Sequence, residues 1–196
     1  MANTNAPFGF ALSAFLPGFT PNYAPSVRRI ASNNATAIYC GDPVTALNTG
    51  YITRSTAGTT SIEGILLGVK YLSTTQQRTV WRNYWPGSDA TGDVEAYVID
   101  SPNALFRAQA GGSTTAIGFA DIGAGINFAL GTGNTATGIS GAYADQTTIQ
   151  TTSTLPFRIV DLVRDPPGAN GTDTASAYNH VILAFNFQDF RGTTLV

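Results

Sequence analysis

The chain reads as an all-β protein, an antiparallel barrel or sandwich preceded by an extended, proline-rich N-terminal arm. Three observations predict this. Short runs of β-branched and aromatic residues recur along the sequence, each bounded by Gly, Pro, Asn, Asp or Ser. No apolar pattern with a 3.6-residue period persists over several turns. Pro7, Pro17, Pro21 and Pro25 punctuate the first 26 residues, and each fixes φ and removes a backbone donor.

Residues 1–26 form the first unit. Their prolines predict a segment outside regular sheet. Phe8, Phe10, Phe15, Leu16, Phe19 and Tyr23 are nevertheless costly to leave in water. Such a segment either folds back onto its own domain or docks on a neighbouring subunit.

Residues 27–196 read as one β-rich domain. Candidate strands are 36–40, 62–72, 79–84, 94–99 and 105–109. The intervening Gly41-Asp42-Pro43, Pro86-Gly87-Ser88, Thr91-Gly92-Asp93 and Ser101-Pro102-Asn103 are turn sequences. Regular spacing of short strands favours a barrel or sandwich over an α/β fold. Residues 111–152 are rich in Gly and Thr and read as an Ω-like loop, or as a short helical turn followed by a hairpin. Gly118, Gly123, Gly125 and Gly131 argue against a continuous helix, since each costs about 1 kcal/mol there relative to Ala. The last two strands fall at 155–163 and 181–187, joined by a polar loop.

Composition narrows the function. Apolar residues are 43% of the chain, enough for a core, but charged residues are only 11% against roughly 25% in an ordinary domain. The surface is therefore built from Thr, Ser, Asn, Gly and Ala, which suits a protein packed into an assembly. The net charge is −2, and Arg28 and Arg29 are the only adjacent basic pair. Direct nucleic-acid binding, which needs clustered cations, is not expected. One cysteine, Cys40, allows no intrachain disulfide. Residues 8–16 are apolar but lack a basic start and are interrupted by Gly9, a poor signal peptide. No run reaches the ~18 apolar residues of a membrane span, so synthesis in a cytoplasm is expected.

Site chemistry is sparse. His180 is the sole histidine and no Gly-x-Ser-x-Gly elbow accompanies it, so it reads as a structural histidine. Residues 131–136, GTGNTA, imitate a dinucleotide fingerprint but no helix-forming sequence follows. Asp89, Asp93 and Glu95 crowd round Gly92 without the spacing of a calcium loop. Asn34-Ala35-Thr36 and Asn170-Gly171-Thr172 match the glycosylation sequon and read as turn chemistry. Catalytic residues, cofactor and metal are not expected. Trp81, Tyr84 and Trp85 form an aromatic group; in a strand, Trp81 and Trp85 would share one face and Tyr84 the other. They fill a core or an oligomer interface, or else bind sugar.

The ordered motifs MANTNAPFGF, NNATAIYCGDPV, GYI, GILLGVKYL, NYWPG, GNTATGISG, LPFRIVDLV and YNHVILAFN resemble those of small virion structural proteins of tailed bacteriophages, the head decoration or cement type. The resemblance covers most of the chain, although the polar excursion at 168–178 is longer than the type implies. It implies a non-enzymatic, β-rich protein that acts as a homo-oligomer, a trimer or dimer, on the capsid exterior. The major capsid protein is the implied partner, with no membrane involved. Contact with capsid or neighbour is then expected from Phe8, Phe10, Phe15 and Phe19, with Arg28 and Arg29 pairing to acidic surface. The competing functions are another virion component, a tail or capsid subunit, or a carbohydrate-binding module using Trp81 and Trp85. A hydrolase is disfavoured by the single histidine.

Overall fold

The structure, a computed structural model, describes residues 2–18, 23–151, 154–164 and 172–189. It is nearly all β, as the punctuation of apolar runs predicts. The strands are β1 (Ala11–Phe15), β2 (Ser26–Ile30), β3 (Pro43–Ala46), β4 (Ile52–Arg54), β5 (Gly64–Ser73) and β6 (Arg78–Arg82). They continue with β7 (Val94–Ile99), β8 (Ala104–Gly111), β9 (Gly125–Ala129), β10 (Tyr143–Gln150), β11 (Phe157–Leu162) and β12 (His180–Phe185).

The first sheet closes into a barrel. Strands pair in the order β8-β10-β9-β11-β12, and β12 returns to β8. All neighbours are antiparallel except β8 and β10, which meet in parallel at Ala110 and Gly111. Alternation sets the lumen. On β8, Ala104, Phe106, Ala108 and Ala110 face inward, opposite Val181 and Leu183 of β12. These alanines leave room for Phe10, Phe106, Phe128 and Phe157 to fill the centre, with Phe10 stacked on Phe157 at 4.5 Å between centroids.

The second sheet is open. Its order is β2-β7-β5-β3-β4, and β6 pairs the far end of β5. The inner face buries Ile30, Val44, Leu66, Val69, Val80, Val94, Ala96 and Val98 around the fully buried Trp85. The Trp85 backbone bridges Ile38 in both directions, and its indole N–H donates to the Asn34 carbonyl at 3.0 Å. Ile65 and Ile99, at the ends of β5 and β7, belong instead to the barrel core, so the two units share a wall.

Polar side chains stitch that wall. Asp42 is fully buried and accepts bonds from Ser140 and from the Tyr39 amide. Arg54 Nε stands 2.9 Å from Asp42 Oδ2, the oxygen that also accepts from Tyr39. Burial pushes the Asp42 carboxyl above the ordinary carboxylate range, although the Ser140, Tyr39 and Arg54 contacts oppose it. Near the C-terminal end, Asp189 accepts from Ser61 and from the Ala46 amide of β3.

The expected N-terminal arm is corrected. Residues 11–15 are a strand antiparallel to the first half of β8. The prolines flank this strand instead of interrupting it. Pro7 precedes it, Pro17 follows it, and Pro25 stands just before β2, so every residue of β1 keeps its N–H. Upstream, residues 3–9 cross the outside of β8 and β12. Gln109 binds the Thr4 carbonyl and the Ala6 amide at 2.8 and 2.9 Å. The fold-back alternative therefore holds for the described part of residues 1–26.

Strands expected at 62–72, 79–84, 94–99, 105–109, 155–163 and 181–187 appear as β5, β6, β7, β8, β11 and β12, with ends shifted. Residues 36–40 form only isolated bridges, from Ile38 to Trp85 and from Cys40 to Ile139. The 111–152 region resolves as its second alternative, a single 3-10 turn at Phe119–Asp121 followed by the β9 and β10 pair.

Candidate interaction surface

The outer face of the second sheet presents one row of side chains per strand crossing. Trp81 of β6 sits opposite Lys70 of β5, which sits opposite Glu95 of β7, opposite Arg29 of β2. One step along, Gly68 of β5 is paired with Tyr97 of β7, and Tyr97 with Val27 of β2. The ladder slips between Leu66 and Gly68, so Leu67 is the extra residue of a bulge and its side chain emerges into solvent. A Cβ on Gly68 would stand 2.9 Å from the Arg82 carbonyl oxygen, so the neighbouring strand's approach there needs glycine.

The missing side chain at Gly68 is covered by its neighbours. The Trp81 ring lies parallel to Tyr97, with centroids 5.6 Å apart and planes at 12°. Lys70 Nζ stands 5.2 Å from the centre of the Trp81 ring and 3.2 Å from Glu95. Trp81 is nevertheless 66% exposed, Val27 56% and Leu72 44%. With Leu67 and Pro25 these rings border a shallow groove of about 350 Å3. An exposed apolar cluster on one sheet face is the usual mark of a contact surface.

Two of the three residues grouped as an aromatic interface depart from that expectation. Trp85 does not share a face with Trp81: β6 ends at Arg82, the chain turns, and Trp85 enters the core. Tyr84 stacks on Tyr39 at 5.2 Å, with the Arg82 guanidinium 5.9 Å from its ring centre. Only Trp81 is displayed. Its half-buried partner, Tyr97, is not among the residues the sequence singles out; the signal for it is the alternation of 94–98, in which Glu95 and Tyr97 face away from the core of the second sheet.

The described contact candidates on the N-terminal segment, Phe8, Phe10 and Phe15, pack against other parts of the chain. Phe10 is 2% exposed and lies in the barrel core. Phe8 packs edge-on against His180 at 5.1 Å, and Phe15 edge-on against Tyr23 at 5.2 Å. Phe19 lies outside the described residues. Arg28 reaches Glu63 at 2.6 Å and Asp100 at 2.8 Å, an internal tie instead of an outward one. Arg29 is exposed on the sheet face described above.

The remaining polar candidates are used within the fold. Asp89 takes hydrogen bonds from Ser73, Thr74 and Thr75. Burial alone would raise its pKa, but the Thr75 side chain and amide, Ser73 and Thr74 together hold it well below the usual range. Asp93 accepts from Tyr51, and Glu95 pairs with Lys70. Asn34 caps its own turn by accepting from the Thr36 amide at 2.9 Å, and Asn170 lies outside the described residues. Residues 131–136 lead into a turn closed from Gly138 to Asn134, not a helix. His180 accepts a bond from Arg107 Nε at 3.0 Å; burial, then the Arg107 charge, lower its pKa to about 4. Among the described residues no helix is long and apolar enough to cross a membrane. Compared with known protein families, with curated proteins and with solved structures, the chain matches none.

Proposed function

We propose that this chain is a non-enzymatic virion structural protein that binds the exterior of an assembled phage capsid and braces its subunit junctions. One observation carries the reading: the outer face of β2, β7, β5 and β6 exposes Val27, Leu67, Leu72 and Trp81, with Tyr97 half-buried beside them, and no element among the described residues covers it. Fully covering one such side chain contributes about 1.5–3 kcal/mol before ordering costs. A strand-borne set needs little ordering on binding, because the sheet already holds it. Many copies on a lattice then add weak contacts through avidity.

The motif resemblance to head decoration proteins supports the same reading, as does the scarcity of charge. Of the carboxylates, Asp42, Glu63, Asp89, Asp100 and Asp189 are engaged within the fold. On this reading docking uses the second sheet and not the N-terminal phenylalanines, of which Phe10 is buried in the barrel core. The saccharide-platform alternative at Trp81 and Trp85 loses its second ring, because Trp85 is in the core.

Co-sedimentation with undecorated capsids of the same phage tests the proposal. The full chain should pellet with capsids, and the double variant Trp81→Ser, Leu72→Ser should lose at least about tenfold in affinity while melting normally. Equal binding by the double variant would remove this face from the mechanism; no binding by the full chain would remove the capsid.

A further inference from the structure

A second surface lies where the crossing N-terminal segment meets the end of β8 and the start of β10. It is a cleft of about 650 Å3, within the range of small-molecule sites. Two tyrosines, Tyr143 and Tyr178, line it.

The local backbone is shaped to admit those rings. Tyr143 lies over Gly111, where a Cβ would come within 2.5 Å of the ring. The next residue, Gly112, has φ +81°, a left-handed conformation that favours glycine. Tyr178 has φ +60°, rare for a bulky side chain. Its surroundings impose that conformation. Gln109 Nε2 donates to the Tyr178 carbonyl at 3.2 Å. The following residue, Asn179, is fully buried and exchanges side-chain bonds with the Ile117 amide and carbonyl at 3.1 and 2.9 Å. The backbone that carries the ring is therefore held in place by the fold.

The rest of the lining decides the ligand class. Asn5, Ser113 and Thr114 supply an amide and two hydroxyls, and among the described residues no acidic or basic side chain lines the cleft. The nearby Asp145 carboxylate is held by the Thr147 amide and hydroxyl. Flat rings beside neutral donors and acceptors suit a ligand with C–H faces and many uncharged hydroxyls. They offer no opposite charge to a phosphate or an ammonium group. We propose that this cleft binds a neutral saccharide, with Tyr143 and Tyr178 against the sugar ring and Asn5, Ser113 and Thr114 pairing its hydroxyls. This goes beyond capsid docking and uses a different surface.

The test is NMR titration of the intact protein with glucose, galactose, mannose and N-acetylglucosamine, and with 3′-sialyllactose as a charged comparison, up to ~20 mM. At least one neutral sugar should shift resonances of Gly111, Gly112 and Tyr143. Tyr178→Gly removes the ring and relieves the positive φ, so it should fold at least as well and weaken that sugar at least about tenfold. Trp81→Ser should leave sugar binding intact, and Tyr178→Gly should leave capsid co-sedimentation intact, which separates the two surfaces. Silence from all four neutral sugars, binding of the charged sugar alone, or undiminished binding by Tyr178→Gly would overturn the proposal.

Discussion

The barrel and the second sheet solve the same packing problem in opposite ways. The barrel closes through the β12 and β8 pairing, so each strand has a buried inner face and neighbours on both sides. Its outer wall over β8 and β12 is covered again by residues 3–9. The second sheet never closes. It fills its inner face with Trp85 and leaves Val27, Leu67, Leu72 and Trp81 wet on its outer face, beside Lys70, Glu95 and Arg29. Closure therefore consumes the hydrophobic surface of one unit as stability, while the open unit keeps some of it for contact. The two tryptophans show the split within five residues: Trp85 is fully buried and Trp81 is 66% exposed.

The largest expected effect comes from unstitching the barrel. Deleting residues 1–16 removes β1 from β8 and takes Phe10 out of its stack with Phe157. The truncated chain should lose cooperative folding, read as loss of a sigmoidal thermal transition by circular dichroism. A cooperative melt within a few degrees of the full chain would make residues 1–16 an accessory and return the N-terminus to an arm. Phe157→Ala is next. It empties a site contacting Phe10, Phe128 and Phe185 in a fully buried position, and should cost about 3–5 kcal/mol in urea unfolding. A loss below about 1 kcal/mol would mean that the lumen is loosely filled.

A smaller, pH-dependent effect separates the covered wall from the open face. His180 is neutral in the fold, with its pKa lowered to about 4 by burial and then by Arg107, against about 6.5 when unfolded. Between those values the unfolded chain binds the extra proton, so this group makes stability fall as pH drops from about 6.5 to about 4. The contribution is of order 1–2 kcal/mol, since part of the ring's charge would be screened. The residues packed around it are Arg107 and Gln109 of β8 and Phe8 of the crossing segment. His180→Gln should flatten stability over that window, measured by urea unfolding at each pH, while leaving the second-sheet surface unaltered. An unchanged slope would assign the acid sensitivity elsewhere.

Legibility in the sequence followed the same division. The β5, β7, β11 and β12 strands are legible because each carries several β-branched or aromatic residues between turn residues, while β8, ALFRAQAG, is marked by the Ser101-Pro102-Asn103 turn before it. The short β2, β3 and β4 were not, since sequences such as SVRRI and ITR carry no burial signal without their partners. β1 is hard to read because Pro7 and Pro17 stand close on either side of its five residues and mask a strand whose own sequence contains no proline. β9 and β10 hide in a Gly- and Thr-rich stretch whose glycines serve close contacts: a Cβ on Gly131 would meet the Gly141 carbonyl oxygen at 2.2 Å. For the candidate surface, Trp81 was visible, but its stacking on Tyr97 depends on the β5 pairing at Gly68, which no local pattern encodes.

The smallest expected effect tests the open face itself. Trp81→Thr removes a large ring from a strand position that is mostly exposed and replaces it with a residue suited to strands. What is lost is the parallel contact with Tyr97 and the Lys70 approach to the ring, together worth about 0.5–1.5 kcal/mol at most. Removing a water-exposed apolar ring costs little transfer energy, because most of its surface is wet before and after. The variant should therefore melt within a few degrees of the parent in differential scanning calorimetry, in contrast to Phe157→Ala. It should also be more soluble, since the exposed patch shrinks. A drop in stability comparable to that of Phe157→Ala would mean that Trp81 holds the second sheet together. The contrast between a unit that spends its aromatics on folding and one that displays them would then fail.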